Sequence, residues 1–90
     1  MRAERVAIIL PALDEEGSVS EVVANLRKFA GRVIVVDNGS KDATAARALA
    51  AGAEVVTESR RGYGRACLAG IERLRENPPH FVAFSDCDGT

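Results

Sequence analysis

The sequence predicts a Rossmann-like α/β fold, in which a parallel four-stranded sheet carries helices on both faces. Four short apolar runs alternate with three segments of helical periodicity, and the connections between them are short. Continuous apolar runs are typical of strands covered on both faces, and a βαβαβαβ order with short connections favours a parallel sheet. Ninety residues leave room for one small domain, so we expect residues 1–90 to form a single domain.

The first half of the chain contains two predicted strands with a helix between them. Residues 5–10 form an apolar run that Pro11 ends, and residues 32–37 form a second run. Between them, Ser18 and Glu21 match a capping box, in which each side chain bonds the backbone N–H of the other residue. The apolar residues at helical spacing that follow are Val22, Val23, Leu26 and Phe29.

The second half of the chain continues the alternation. The further predicted elements are a helix at residues 43–51, a strand at 53–57, a helix at about 65–75 and a strand at 80–86. Ser40 or Asp42 can cap the first of these helices. The buried face of the second is predicted from its apolar residues, which are Cys67, Leu68, Ile71 and Leu74.

The composition excludes several classes of protein. The formal net charge is -1 at pH 7, so nothing indicates binding to nucleic acid or to an anionic membrane surface. The apolar runs are far shorter than the roughly 20 residues that cross a bilayer, and the first residues lack a signal-peptide pattern. We therefore expect a cytoplasmic chain. The two cysteines and the single histidine do not complete a zinc site.

Charged residues are concentrated in the loops that follow the predicted strands. Acids follow the first, second and fourth strands, and Arg60 and Arg61 follow the third. In an open parallel sheet these loops lie at the carboxyl edge, where ligands bind. Because carboxylates on one rim repel one another, we expect a cation or a hydrogen-bond-donating ligand to relieve the repulsion.

Asp86 and Asp88 are the candidate metal ligands. In extended backbone, side chains two residues apart point to the same side, so both carboxylates can converge on one cation. Mg²⁺ and Mn²⁺ prefer such oxygen ligands and keep coordination positions for substrate phosphates. Solvated acidic loops have the same composition, and it is the position at the end of a buried strand that favours a metal.

Asp37, at the tip of the second strand, is the candidate for base recognition. Its carboxylate can accept the ring N–H of a uracil or guanine. The same residue, followed by Asn38 and Gly39, also suits an Asx turn or a helix cap. Both roles are compatible if Asp42 or Ser40 caps the next helix.

Two further loops are candidates for contact with a nucleotide. After the first strand, Pro11 and the small Ala12 keep the backbone close to a flat ligand. The acids that follow, Asp14 and Glu16, can bond a ribose or base or favour the start of the next helix, whereas Glu15 is better explained as solvated. After the third strand, arginines and glycines precede a helix N-terminus, which favours an anion such as a diphosphate. Those residues are Arg60, Arg61, Gly62, Gly64 and Arg65.

Four segments, in this order, resemble the motifs of the family 2 glycosyltransferases of the GT-A fold. Residues 6–16, VAIILPALDEE, are similar to the opening strand and P-x-x-N/D-E-E loop of that family. Residues 33–44, VIVVDNGSKDAT, resemble its VVD-x-G-S-x-D-x-T segment. Residues 61–70, RGYGRACLAG, resemble G-x-G-x-A-x-x-x-G, and residues 84–89, FSDCDG, resemble its D-x-D strand end. The resemblance covers the whole chain, and the ordered set is more specific than any one motif.

The resemblance implies that the chain binds a nucleoside-diphosphate sugar, with UDP or GDP as the nucleotide, together with Mg²⁺ or Mn²⁺. It implies that Asp37 holds the base, that Asp86 contacts ribose or metal, and that Asp88 binds the metal that bridges the diphosphate. The implied nucleotide-binding residues are Pro11, Ala12, Leu13, Glu16, Asp37, Gly39, Arg61, Gly62, Gly64 and Asp86. In this family the general base lies beyond the D-x-D segment, so we name no catalytic base here. We expect a truncated, N-terminal half that is inactive alone.

The acceptor is indicated only by a departure from the common pattern. Many family members have Arg-Asn where this chain has Cys67 and Leu68. That departure resembles the polyprenyl-phosphate hexosyltransferases, of the dolichol-phosphate mannose or glucose synthase type. It implies a lipid-phosphate acceptor, and any membrane association would then arise from that acceptor or from further segments.

Other functions remain open from the sequence. Residues 84–90 also fit the D-x-D-G-T motif of haloacid-dehalogenase-type phosphatases, in which Asp86 would attack phosphorus and Asp88 would act as acid or base. That hypothesis leaves the first three motifs unexplained. A nucleotidyltransferase is disfavoured because the loop after the first strand is acidic. The remaining hypothesis is a non-catalytic nucleotide-binding module, which could form a homo-oligomer through an exposed sheet edge.

Overall fold

Four strands and three helices alternate along the chain in a computed structural model that describes residues 2–86. A short 3₁₀ turn, Ala3–Arg5, precedes the first strand. The strands are β1 (Val6–Ala12), β2 (Arg32–Asp37), β3 (Glu54–Thr57) and β4 (Phe81–Phe84), and the helices are α1 (Val19–Leu26), α2 (Thr44–Ala50) and α3 (Tyr63–Leu74). In the described part, no helix is both long and apolar enough to cross a membrane.

All four strands are parallel, and their order in the sheet is β3-β2-β1-β4. Asp37 at the end of β2 pairs with Ala12 on β1 and with Thr57 on β3. Phe84 at the end of β4 pairs with Ile9. The carboxyl ends therefore share one edge, and the predicted parallel sheet is confirmed.

The two faces of the sheet pack against different helices. Residues of β1 and β2 that pack on α1 and α2 include Leu10, Val33 and Val35. The alternate residues on the same strands, including Ile9, Ile34 and Val36, pack on α3. Because side chains alternate along a strand, continuous apolar runs supply both layers of the core. The prediction of helices on both faces is confirmed.

Helix α3 lies close to the sheet, and this closeness selects its buried face. A Cβ added at Gly70 would lie 2.6 Å from Cγ2 of Ile9, so only glycine fits there without movement. The buried residues are Ala66, Gly70 and Leu74, spaced four apart on one stripe. The predicted face was wrong for Leu68 and Ile71, which are 67% and 41% exposed, because a close approach requires small residues rather than large ones.

Strand β1 continues through Pro11, which was predicted to end it. Ser85 N–H donates to the Ile9 carbonyl, and Asn38 N–H donates to the Ala12 carbonyl. Backbone polar groups alternate between neighbours along a strand, so the missing N–H of Pro11 faces the side of β4. Strand β4 ends at Phe84, opposite Ile9, and no described strand needs a donor from Pro11.

Strand β4 lies at an edge of the sheet, and all four of its residues are exposed. The description of this strand as buried was therefore wrong. Phe81, Val82 and Phe84 are about half exposed, although their sequence is as apolar as that of the central strands. Periodicity alone does not distinguish a central strand from an edge strand.

The predicted capping box of α1 is also absent. Ser18 occupies the N-cap position, but its side chain makes no capping bond to the helix and instead donates to Oε2 of Glu15. Helix α1 ends at Leu26, earlier than predicted, and Phe29 beyond it is exposed. Helix α1 begins in a loop that is already hydrogen-bonded to the loop after β2, so it does not need a capping box of its own.

Candidate nucleotide-binding site

Asp37 and Asp86 lie at the same edge of the sheet, on either side of the tip of β1. Asp37 is the last residue of β2, and Asp86 is two residues past the end of β4. Neighbouring strands are about 4.8 Å apart, so the two backbones are separated by roughly 10 Å across β1. Pro11 and Ala12, at the end of β1, lie between them.

The loop after β1 and the loop after β2 are hydrogen-bonded to each other. Oδ1 of Asp14 accepts the Lys41 N–H at 2.9 Å, and Oε2 of Glu16 accepts the Ala43 N–H at 3.0 Å. In the other direction, Oγ1 of Thr44 accepts the Glu15 N–H at 2.8 Å. The acids at this part of the rim therefore satisfy backbone donors of the opposite loop. The clustering of these acids therefore does not by itself require a cation or a ligand, although the sequence had led us to expect one.

The N-cap residue of α2 is Ala43, and the side chain that bonds the first N–H of the helix comes from Asp42 just before it, not from Ser40. Oδ1 of Asp42 accepts the Thr44 N–H at 2.9 Å and also bonds the Thr44 hydroxyl, and its Oδ2 accepts the Glu16 N–H. The bond from the Thr44 hydroxyl is the main reason that the pKa of Asp42 is lowered from its ordinary value. Asp42 thus performs the capping role that was predicted for one of the two residues, and Asp37 is not needed for it.

Asp37 combines a turn role with a remaining open oxygen. Its residue surface is only 7% exposed, and its Oδ1 accepts the Ser40 N–H at 2.9 Å. No hydrogen bond joins Oδ2 to another described residue. Residues 2–86 contain no fully buried side-chain oxygen that lacks a hydrogen-bond partner. This carboxylate oxygen is available at the carboxyl edge of the sheet.

The loop after β3 is held by an ion pair between buried Glu58 and Arg60. Nη2 of Arg60 lies 2.6 Å from Oε1 of Glu58, and the hydrogen bond from Arg60 lowers the pKa of Glu58. Arg60 is therefore committed to Glu58. Arg61 is exposed, and within the described part its guanidinium has no hydrogen bond or ion pair.

Glycines open the start of α3. Gly62 is the N-cap residue with a φ of +123°, and no side chain caps the helix. A Cβ built at Gly62 or at Gly64 meets no heavy atom within 4 Å. Gly39, in the turn after β2, is also exposed, with a φ of +95° and open space beside it. No hydrogen bond joins the N–H groups of Tyr63, Gly64 or Arg65 to another described residue, as is usual in the first turn of a helix.

Three residues of this region were absent from the predicted site, namely Asn38, Glu58 and Tyr63. A hydrogen bond with Cys67 is the main cause that raises the pKa of the Tyr63 phenol, and the charge of Asp86 contributes. The position of Tyr63 in the first turn of α3, beside two glycines, was a sequence signal for contact with a ligand. The roles of Asn38 and Glu58 depend on contacts between loops, which the sequence does not display.

The metal-binding prediction concerns one described and one undescribed residue. Asp86 is exposed just beyond β4, and Asp88 lies outside the described residues. Residues 2–86 contain no group of three or more histidine, cysteine or acidic side chains that could hold a metal on its own. A carboxylate at a strand tip is nevertheless the kind of donor that Mg²⁺ and Mn²⁺ prefer, so the donor chemistry fits.

A cavity of about 970 Å³ lies beside this edge rather than on it. It runs between β3 and α3 and includes Glu58 and Arg60 from the third loop. Asp37 and Asp86 do not line it. The strand-tip geometry is thus a better guide to the site than cavity size, because a rim built from loops is open to solvent.

Comparison with known sequences identifies the family. The sequence model described as "Glycosyl transferase family 2" matches residues 7–90, which contain all of the four motifs except Val6. The chain belongs to glycosyl transferase family 2. The GT-A resemblance is therefore confirmed, and the phosphatase hypothesis is not retained.

Relatives of known sequence and structure agree with this family. An uncharacterized glycosyltransferase of Mycobacterium tuberculosis is 45% identical over 91 aligned positions, which cover 100% of this chain and 39% of that protein. Crystal structures of glucosyl-3-phosphoglycerate synthase from Mycobacterium tuberculosis superpose on 92% of this chain. One, in complex with Mn²⁺, UDP and glucosyl-3-phosphoglycerate, has a TM-score of 0.77 and 32% identity. Another, with Mg²⁺ and UDP, has a TM-score of 0.76.

The chain is much shorter than these relatives. It spans 39% of the length of the curated relative and 33% of each of the two crystallised chains. The family model matches from within β1 to the end of the chain.

Proposed function

We propose that this chain binds a nucleoside-diphosphate sugar with a divalent cation at the carboxyl edge of its sheet, as the donor-binding part of a hexosyltransferase. The observation that carries the proposal is the placement of Asp37 and Asp86 on either side of the β1 tip. The base would bind at one side and the metal-bound diphosphate at the other. We propose residues 1–90 as one nucleotide-sugar-binding domain.

Asp37 is proposed to recognise the base. Its Oδ1 holds the turn through Ser40, which leaves Oδ2 as an acceptor for a ring N–H. A charged acceptor in a largely buried position discriminates well between donors and acceptors on a base, because an unmatched partner would leave it unsatisfied. Lining of the nucleoside pocket is proposed for Pro11, Ala12, Leu13, Glu16 and Gly39.

The diphosphate is proposed to bind beside Arg61 and the start of α3. Arg60 pairs with Glu58, so Arg61 is the arginine of this loop that is available to an anion. Gly62 and Gly64 allow a phosphate to approach the backbone, where the open N–H groups and the helix dipole favour negative charge.

A divalent cation is proposed to bind to Asp86 and Asp88. When bound, Mg²⁺ or Mn²⁺ would stabilise the negative charge of the departing nucleoside diphosphate. The residues of the chain itself would hold the base and orient the diphosphate. In this way they would direct the sugar carbon towards the acceptor. A general base is not proposed for this chain.

The proposal predicts a specific pattern in calorimetric titrations of UDP and GDP, with and without Mn²⁺. Asp37→Asn keeps an oxygen for the Ser40 N–H but presents an amide donor where the base needs an acceptor. We expect it to weaken nucleotide binding by about tenfold or more. Asp42→Asn is the matched control, with the same chemical change at a residue that caps α2, and should bind like the wild type.

The metal is tested by Asp88→Ala, which should remove the gain in affinity that Mn²⁺ provides. The proposal is wrong if the wild-type chain binds neither nucleotide at millimolar concentration. It is also wrong if Asp37→Asn and Asp42→Asn bind equally well.

For the acceptor we propose a phosphorylated molecule. The crystallised relative carries glucosyl-3-phosphoglycerate, and the Cys67-Leu68 sequence resembles enzymes that use polyprenyl phosphate. A longer chain that includes the rest of the family domain should transfer sugar to one of the two. If the longer chain transfers sugar to neither molecule, a phosphorylated acceptor is contradicted. Residues 1–90 alone are expected to transfer sugar to neither molecule. A cytoplasmic location, with any membrane association arising from a lipid acceptor or from further segments, remains a prediction from the sequence.

Self-association is the remaining sequence prediction. The exposed, apolar edge strand β4 supports pairing between copies of this chain. Sedimentation over a range of concentrations tests it, because a monomer at all concentrations would contradict it.

A further inference from the structure

Asn38 joins the ends of three strands. Its backbone N–H donates to the Ala12 carbonyl at the end of β1, and the residue itself directly follows β2. Its side chain reaches the loop after β3, where Nδ2 donates to the carbonyls of Glu58 and Arg60, both at 2.7 Å. Oδ1 accepts the Gly62 N–H at 3.3 Å. Every polar group of this carboxamide is used, and the residue is 9% exposed.

The loop after β3 wraps around this one side chain. Glu58, Arg60 and Gly62 alternate along the loop, and each is bonded through its backbone to the same amide. Arg61 and the start of α3 lie between or directly after these anchored residues. The position of the anion-binding groups therefore depends on a residue that neighbours Asp37 in the sequence.

We propose that Asn38 is a positioning residue that fixes the loop of Arg61 and Gly62 relative to the base-binding Asp37. The inference rests on the proposed function for its effect on nucleotide binding, but not for its effect on the loop. Asn38 would touch no ligand and would act through the loop. An asparagine suits this role because two donors and an acceptor on one short side chain match two carbonyls and an N–H.

The first test uses limited proteolysis and needs no ligand. Trypsin cleaves after arginine, so Arg60 and Arg61 report the opening of this loop directly. In Asn38→Ala we expect cleavage there to accelerate by about tenfold or more, since cleavage follows the population of locally opened chain. Asn25→Ala, at an exposed position on α1, is the matched control and should be cleaved like the wild type.

The second test separates positioning from general loss of structure. Asn38→Ala should weaken UDP binding by about tenfold while leaving uridine binding, followed by NMR, unchanged within about twofold. In a double-mutant cycle with Arg61→Ala, the two losses should be strongly less than additive, because both act on the same contact. A merely structural role would weaken uridine and UDP alike and give additive losses.

The outcomes distinguish this inference from the proposed function. If the wild type binds no nucleotide, the proposed function fails and the tryptic pattern still decides the role of Asn38 in the loop. Unchanged cleavage at Arg60 and Arg61, or equal losses for uridine and UDP, would overturn the inference. If Asn38→Ala does not fold, Asn38→Ser, which keeps one short polar group, is tested by the same measurements.

Discussion

Two parts of the same rim differ in how their polar groups are used. The loops after β1 and β2 bond to each other, and their acids accept backbone N–H groups from the opposite loop. The loop after β3 is hydrogen-bonded to the side chain of Asn38, whereas the Arg61 guanidinium and the first N–H groups of α3 have no hydrogen bond to another described residue. Charge density alone therefore does not identify a ligand-binding surface. What distinguishes the two parts is whether charged and polar groups already have partners within the protein.

The largest expected effect is on the packing of α3, the helix that begins at the end of the loop after β3. Gly70→Ala places a methyl group within 2.6 Å of Ile9, and we expect a loss of about 2 kcal/mol in the free energy of unfolding. Thermal or urea denaturation measures it. Gly64→Ala, in the same helix but in open space, should be neutral or slightly stabilising. Equal stability of the two variants would show that α3 does not pack as described.

A smaller effect is expected for Arg61, whose guanidinium has no hydrogen bond or ion pair within the described residues. Arg61→Ala should weaken UDP binding by about tenfold, because a charge-assisted hydrogen bond to a phosphate is lost, while stability stays unchanged. Arg75→Ala, at the other end of α3, removes the same charge and should have no effect on binding. Calorimetry at two salt concentrations checks the charge contribution. An identical affinity of both variants would place the diphosphate elsewhere.

Asp42, in the loop after β2, should affect stability rather than binding, because its carboxylate oxygens already have backbone partners. Asp42→Ala removes the cap of α2 and its bond to the Glu16 N–H, so we expect a loss of about 1 kcal/mol in stability. Nucleotide affinity, measured under conditions where the variant is folded, should stay within about twofold of the wild type. A large loss of affinity at full stability would mean that this acid faces the ligand.

The smallest effect is expected far from the rim, at the pair of Arg32 and Glu54. Two hydrogen bonds of 2.7 and 2.8 Å join them, and the one from Arg32 is the main cause that lowers the pKa of Glu54 from 4.5. A lowered pKa in the folded state means that the stabilisation is present above the ordinary value and is lost as the pH falls through the folded value. Glu54→Gln should therefore cost about 0.5–1 kcal/mol at pH 7, and the difference from the wild type should shrink progressively as the pH falls below 4.5.

Denaturation curves across this pH range check the prediction. Glu72→Gln, which disrupts the fully exposed pair with Arg75, is the matched control and should change stability little at any pH. A constant difference between Glu54→Gln and the wild type down to pH 3 would contradict the assignment to the ion pair.

The predicted elements differ from the observed ones mainly where the surroundings decide. Residues 32–37 were predicted as a strand and form one with those bounds. Strand β2 is central in the sheet, and its apolar run is buried. Residues 80–86 have a similar run but form a short edge strand. Propensity and pattern are alike in the two, and only the neighbours in the sheet differ.

The same distinction applies to the site. Asp37 was predicted from its position at a strand tip, and the parallel sheet places it on one edge with Asp86. Asn38, its neighbour, was interpreted as turn chemistry, although its side chain organises the loop of another strand. Hydrogen bonds between residues 20 or more positions apart leave no local pattern in the sequence.

The sequence by itself determined the order of the elements, the parallel sheet with two helical layers, the family, and the placement of candidate residues at strand tips. These follow from periodicity and motif order, which are local properties of the chain. Only the tertiary structure decided which acids bond to neighbouring loops, which arginine is free, and which face of α3 is buried. Those depend on the partners that each polar group or methyl group meets, and partners are chosen when distant segments pack together.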